Sequence, residues 1–240
     1  MITHFVKPAL LSAVLVLSSL GAACADGAAM LRKVDAIRAP GSDFSFDLSV
    51  RTSDGVSMDM AVSVKDSTKG LVQYTQPTKV KGRSLLFVDR NMWVFIPGSQ
   101  RALRISPQQQ ILGGVSSADV ARTVYSNDYS VNGSDDAGGG KEILHLSAKS
   151  GAAAYSAIDL KVESKSGRPL EAQFFASGGK RKLKTVYFEG YKSVMGASRP
   201  TKLRVVDHLA GDAVTTMTYS GFKSSTAPSA WFQPSYLEKL

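Results

Sequence analysis

Phe44-Ser45-Phe46-Asp47-Leu48-Ser49-Val50-Arg51 alternates apolar and polar residues without a break. Successive residues of an extended chain face opposite ways, so every apolar side chain here points to one side of a strand. Ser53-Asp54-Gly55 follows as a hairpin turn. The return run puts Met58, Met60, Val62 and Val64 on one face and Ser57, Asp59, Ser63 and Lys65 on the other. The two runs predict an antiparallel hairpin with one wet face and one face that is buried or lipid-facing.

The same pattern continues along the chain. Strands are predicted at 71–76, 84–88, 92–96 and 103–106, then at 129–132, 143–148 and 157–164, and finally at 170–177, 183–191, 203–209 and 214–222. Ser166-Gly167-Arg168-Pro169, Ser177-Gly178-Gly179-Lys180 and Ala210-Gly211-Asp212 are turn sequences between them. The reading is a mainly β protein of about eleven short strands in one antiparallel meander, curled into a sandwich or barrel. Ser134 to Gly140 is polar and Gly-rich and predicts a long hairpin tip. No internal repeat is present.

Two segments flank this series. Leu31, Val34 and Ile37 recur at helical spacing, and Pro40-Gly41 stops the pattern, so 26–38 predicts an amphipathic helix. Upstream, Lys7 precedes an apolar run from Ala9 to Leu20, and Ala23-Cys24-Ala25 offers small residues for cleavage. About a dozen apolar residues are too few for a spanning helix, which needs roughly 18 or more, and suit a cleaved export signal. The expected division is therefore residues 1–25 as signal and 26–240 as one domain in the periplasm. A rival reading makes Cys24 a lipidated N-terminus. It is the only cysteine, so the folded part has no thiol for a disulfide, a metal or nucleophilic catalysis.

The formal net charge is +9. Export argues against nucleic acid as the partner and leaves anionic headgroups, an acidic protein face or solubility as readings of the charge. Lys79, Lys81 and Arg83 form one basic cluster; Lys180, Arg181, Lys182 and Lys184 crowd a predicted hairpin turn. Both read as protected edges or solvated turns, with a headgroup docking patch as the sharper alternative.

Chemistry-bearing patterns are missing. His145 and His208 stand in strand contexts with no metal-ligand spacing. No Gly-x-Ser-x-Gly elbow, Walker loop or dinucleotide fingerprint occurs. No enzyme, catalytic residue, metal or cofactor is expected.

What remains is the apolar stripe: Phe44, Phe46, Leu48, Met58, Met60, Val62, Trp93 and Phe95. In a closed sandwich it is core; in an open curved sheet part of it walls a cavity, and flexible Met side chains suit irregular ligands. The alternation breaks between Pro107 and Tyr125, which carries Gly113-Gly114 and the helix start Ser116-Ser117-Ala118-Asp119. Val120, Val124 and Tyr125 make this segment a candidate lid. Trp231-Phe232-Gln233-Pro234-Ser235-Tyr236-Leu237 predicts a docked terminal segment.

Several landmarks resemble one family. They are Gln76-Pro77, Leu85-Leu86, Asn91-Met92-Trp93-Val94-Phe95-Ile96-Pro97, Arg104-Ile105-Ser106-Pro107, Asp119-Val120-Ala121-Arg122-Thr123, Asn127-Asp128-Tyr129 and the Trp231 segment. The chain resembles the LolA-like periplasmic carriers, in the branch described as outer membrane lipoprotein-sorting proteins. The resemblance implies an unclosed half-barrel, with short helices covering a concave apolar face. It implies a monomeric shuttle for lipid or lipoprotein acyl chains, served by an inner-membrane exporter and an outer-membrane acceptor. One feature departs from the family. Its lid-latching Arg-Pro pair is replaced by Lys65-Asp66-Ser67-Thr68. A non-enzymatic accessory subunit of an envelope transport complex, with the stripe as plain core, is the alternative function.

Overall fold

A computed structural model describes residues 19–120, 124–176 and 181–240, with side chains from Gly27 onward. Residues 1–18 of the expected signal, the Cys24 side chain, Ala121-Arg122-Thr123 and the turn residues 177–180 lie outside the described residues.

The first helix, α1 (Ser19–Arg38), begins earlier than Asp26. Six strands follow: β1 (Phe44–Thr52), β2 (Ser57–Lys65), β3 (Lys69–Gln76), β4 (Ser84–Val88), β5 (Asn91–Phe95) and β6 (Leu103–Ile105). A small hairpin, β7 (Gln110–Leu112) and β8 (Val115–Ser116), leads into two short helices, α2 (Ser117–Val120) and α3 (Tyr125–Asp128). The remaining strands are β9 (Tyr129–Gly138), β10 (Lys141–Ala148), β11 (Ala157–Glu163), β12 (Pro169–Phe175), β13 (Lys182–Val194), β14 (Ala197–Asp207) and β15 (Ala213–Ser224). A 3-10 turn at Ser229–Phe232 and α4 (Pro234–Leu237) end the chain.

Thirteen strands form one antiparallel sheet in the order β6-β5-β4-β3-β2-β1-β15-β14-β13-β12-β11-β10-β9. The expected count of about eleven is too low, because the opening hairpin β1–β2 joins the same sheet as the eleven later strands. The first and last strands pair in its middle, Leu48 opposite Tyr219 and Val50 opposite Met217. Two meanders run outward from that seam, one to β6 and one to β9. The sheet is curved and does not close, so β6 and β9 are its two edges. The described residues between those edges, 106–120 and 124–128, therefore lie across the mouth of the trough.

The inner face carries the core. Phe44, Phe46, Leu48, Met60 and Val62 are 1–2% exposed and meet Leu31 and Val34 of α1. Each large apolar side chain withdrawn from water contributes about 1.5–3 kcal/mol. At Gly27 the helix approaches β9 so closely that an added Cβ would lie 2.8 Å from Val131. Arg199, itself 7% exposed, caps the other end of α1 by donating to the carbonyls of Ala36, Ile37 and Ala39. These are acceptors that a helix C-terminus leaves unpaired.

A second, smaller cluster lies on the opposite face. Phe232 and Leu237 of the terminal segment cover Leu71, Leu86 and Phe95, with Trp93, Trp231 and Tyr236 packed around them. The terminal segment is docked, as its aromatic content predicts. Trp93 and Phe95, expected on the inner stripe, instead turn outward beneath the terminal segment. In β5 it is Met92 and Val94 that face the inner core. Both faces of β5 are apolar because both are covered, so alternation alone does not reveal which side is in.

The polar stretch after Asn132 also differs from its reading as a hairpin tip. Ser134, Asp135 and Asp136 pair with Leu144, Ile143 and Glu142 as regular strand. The turn is confined to Gly138, Gly139 and Gly140, whose φ values of 72°, 60° and 72° suit glycine.

Candidate functional site

The strap between the two sheet edges is the expected lid, and its sequence explains how it lies down. Ser116 and Asp119 open α2: the Asp119 carboxylate accepts the Ser116 amide at 2.7 Å and its hydroxyl at 2.9 Å. Ahead of them, Gly113 and Gly114 turn the β7–β8 hairpin against β14 and β15. An added Cβ would stand 2.1 Å from Thr215 at Gly113 and 2.9 Å from Asp207 at Gly114. Only glycine permits that approach. Val115, Ala118, Val120 and Tyr125 then drop into the inner core, each at most 4% exposed. Val124 is half-buried and borders two rim cavities.

Polar contacts fasten the strap at three points. On α1, Asp35 accepts the Tyr125 and Ser126 amides at 2.9 and 2.8 Å, and the Arg38 guanidinium lies 4.0 Å over the Tyr125 ring. At the rim, Arg90 of the β4–β5 turn reaches Asp128 of α3 at 3.0 Å and the Ser150 hydroxyl at 3.3 Å. This joins the end of one meander to the other across the open side.

The third contact is internal. Lys184 of β13 is 4% exposed and pairs with Asp119, while its ammonium also donates to the Gly114 carbonyl at 3.3 Å. Its Nζ lies 4.8 Å from the Tyr155 ring centroid and 5.3 Å from that of Phe174. The Tyr155 hydroxyl shares a 2.9 Å hydrogen bond with Ser116 and donates to Asp119 at 3.4 Å. Burial pushes the Tyr155 phenol well above its ordinary pKa, with the Asp119 charge adding to the effect, so it remains a hydrogen-bond donor.

Lys184 is not part of the basic turn to which its neighbours pointed. Lys184, Val186 and Phe188 share the inward face of β13 at period two. That parity was readable, and it puts a cation inside. Arg181 and Lys182 stay exposed; so do Lys79 and Lys81, which sit in and after a 3-10 turn rather than on one strand face.

Of the eight stripe residues, Phe44, Phe46, Leu48, Met60 and Val62 are brought together on the inner face, and Met58 packs half-buried at its margin. With the lid down this wall is filled. A void edged by Val72, Phe87, Met92 and Ile105 holds about 10 Å³, roughly the space of one water. Larger spaces lie along the lid. One of about 250 Å³ sits between Phe87, Arg90, Met92 and Val124. Another, of about 950 Å³, is bordered by Gln110, Ser116, Tyr155, Lys184 and Asp207. Ligand pockets typically span about 300–1,000 Å³. Among the described residues no cluster of His, Cys, Asp and Glu could hold a metal ion.

Comparison with known proteins agrees with this geometry. A family model described as "uncharacterized protein" matches residues 66–239. A LolA superfamily protein from Nitrosomonas europaea is similar in structure, with a TM-score of 0.78 and 28% identity, over 87% of this chain and 97% of that one. The chain belongs to the family of that model, and its structure is LolA-like. The LolA-like fold recurs in a putative outer membrane lipoprotein-sorting protein domain from Vibrio parahaemolyticus, at TM-score 0.71 and 18% identity, over 90% of this chain and 99% of that one. A DUF1329 family protein from Desulfovibrio piger has it too, at TM-score 0.72 and 19% identity, with the same coverage. No curated protein matches the sequence.

Proposed function

We propose that this LolA-like chain is a periplasmic carrier. In this reading it takes lipid, or the acyl chains of lipoproteins, onto the inner apolar face and ferries them between membranes. One observation carries the proposal: the apolar wall is covered by a single helix, α1, and by a narrow strap held through polar contacts at Asp35, Arg90 and Lys184. Such a cover can lift without unmaking the sheet. Lifting it opens the trough beside α1, whose Leu31 and Val34 pack on the row of Phe44, Phe46, Leu48, Met60 and Val62. A sixteen-carbon chain loses about 12 kcal/mol when exposed to water, and a contiguous apolar row of this kind offsets that cost. Release then needs an acceptor that competes for the cargo, or reopening of the lid. Export through the expected signal, an inner-membrane donor and an outer-membrane acceptor belong to the same reading.

The tight filling of the inner face favours a second reading, in which the wall is core and the chain is an accessory subunit of an envelope transport complex. Gentle purification followed by organic extraction and mass spectrometry separates the two. Co-purifying lipid supports the carrier. Absence of lipid, with no protection of the protein by added lipid and a stoichiometric crosslinked partner in cells, supports the subunit.

A further inference from the structure

Lys184 has an unusual set of partners. Both polar groups that satisfy it, the Asp119 carboxylate and the Gly114 carbonyl, belong to the lid. Phe174 of β12 and Tyr155 of the β10–β11 loop give the ammonium two aromatic faces. Asp207 stands opposite Lys184 in the β13–β14 register, but one of its oxygens takes the Leu209 amide at 2.9 Å, and it makes no ion pair with Lys184. If the lid lifts with nothing replacing Asp119, the ammonium loses both of its polar partners and is left between two aromatic rings, which is unfavourable. The Tyr155 hydroxyl would lose Ser116 and Asp119 at the same moment. Two buried donors therefore converge where the Asp119 carboxylate now sits, beside a cavity of about 950 Å³.

Resting on the carrier reading, we propose that the cargo is an amphiphile with an anionic head, carboxylate or phosphate, and that this head replaces Asp119 at Lys184 and Tyr155. The lid carboxylate holds the place of the cargo anion. The tail then runs along the inner apolar row, and a neutral acyl glycerol is discriminated against because it leaves Lys184 unpaired. Loading and lid opening become a single exchange of one anion for another, in which Lys184 keeps an anionic partner and the displaced Asp119 passes to water with the lid.

The test uses the full exported protein and phosphatidylcholine vesicles carrying equal mole fractions of labelled oleate, phosphatidylglycerol or diacylglycerol. The label recovered on protein after gel filtration is the readout. Wild type is expected to take an anionic probe over diacylglycerol by about tenfold or more, the range set by one charge-assisted hydrogen bond. Oleate and phosphatidylglycerol, compared with each other, separate carboxylate from phosphate. Lys184→Met is expected to lose the preference while still taking diacylglycerol. Asp119→Asn removes the competing anion, keeps Lys184, and is expected to strengthen anionic binding; it also covers the case in which Lys184→Met does not fold. Equal uptake of neutral and anionic probes by wild type, or no gain in Asp119→Asn, overturns the anion proposal and leaves the carrier reading standing. No uptake of any probe overturns both.

Discussion

Asp35 and Tyr125 are joined across the mouth of the trough. One carboxylate oxygen of the α1 residue accepts the Tyr125 amide at 2.9 Å, and the other accepts the Ser126 amide at 2.8 Å. The side chain of one helix thus caps the start of another, 90 residues away. It fastens the end of the lid to the element that fills the trough.

Asp35→Ala is therefore expected to free the lid at its α3 end. Two amide donors lose a charged acceptor, and hydrogen bonds to charged groups contribute about 1.5–3 kcal/mol each, shared here with water once the helix end is exposed. A net loss of about 2 kcal/mol is expected in denaturant melts. Hydrogen exchange must quicken around residues 115–128 more than in β13 or β14. Uniform quickening instead would mean that Asp35 stabilises the whole fold and does not act on the lid in particular.

Gly114→Val tests the lid from its other end. The added side chain meets Asp207 and Val205, whose atoms already lie 2.9 and 3.2 Å from an added Cβ. Both are on β14, so the hairpin cannot sit down fully. The expected outcome is a folded sheet by circular dichroism, together with increased binding of an apolar dye to the uncovered inner face. Unchanged dye binding would show that the hairpin shifts without lifting the lid.

Much of this arrangement was legible in the sequence, and the rest was hidden for identifiable reasons. The β1–β2 alternation gave the sheet, its inner face and five of the residues that meet there. Where both faces of a strand are apolar, as at Trp93 and Phe95, the pattern loses its sense of direction, because the cover on the outer face comes from residues more than 130 positions further on. The lid was marked by the break in alternation and by its paired glycines. Its fastenings were not marked. Asp35, Arg90 and Lys184 are ordinary charges in one dimension, and only the fold brings them to the strap. For Lys184, a cue was present in its inward parity with Val186 and Phe188.

Arg199 offers a check on how α1 is held. Burial lowers the guanidinium pKa without discharging it, so its four carbonyl contacts, to Ala36, Ile37, Ala39 and Val194, must satisfy a buried charge. Arg199→Met removes the charge together with its need for partners, while leaving the Ala36, Ile37 and Ala39 carbonyls to water or to each other. The expected destabilisation is about 1–2 kcal/mol. Arg199→Lys keeps the charge but not the planar fork, and is expected to be no better than Met. Recovery of full stability in the Lys variant would show that charge alone, not geometry, anchors the helix.

His145 gives the chain a small pH dependence. Its ring nitrogens lie 2.7 Å from Asp159 and 3.0 Å from Asp135, and these hydrogen bonds, that to Asp159 foremost, raise its pKa above the ordinary 6.5. A raised folded-state pKa means that the protonated form stabilises the fold. The contribution is complete below about pH 6.5 and disappears as pH climbs through the raised value. The ring is 40% exposed, so solvent screening limits the effect to about 0.5 kcal/mol. His145→Gln is expected to flatten the fall of stability as pH rises above about 6.5. A slope that persists in the variant would assign it to other groups.

The outer cluster makes the last claim, which separates fold from function. Phe232 is 5% exposed and, with Leu237, covers Leu71, Leu86 and Phe95. Truncating a buried Phe to Ala typically costs about 3–5 kcal/mol, and a peripheral site that can partly collapse belongs at the lower end. Phe232→Ala is therefore expected to lower stability by about 3 kcal/mol. The inner face lies on the other side of the same strands, so any lipid binding measured below the melting temperature should be unchanged. If binding falls while the sheet stays folded, the two faces are coupled, and the terminal segment holds β4 and β5 in the curvature that the lid needs for closure.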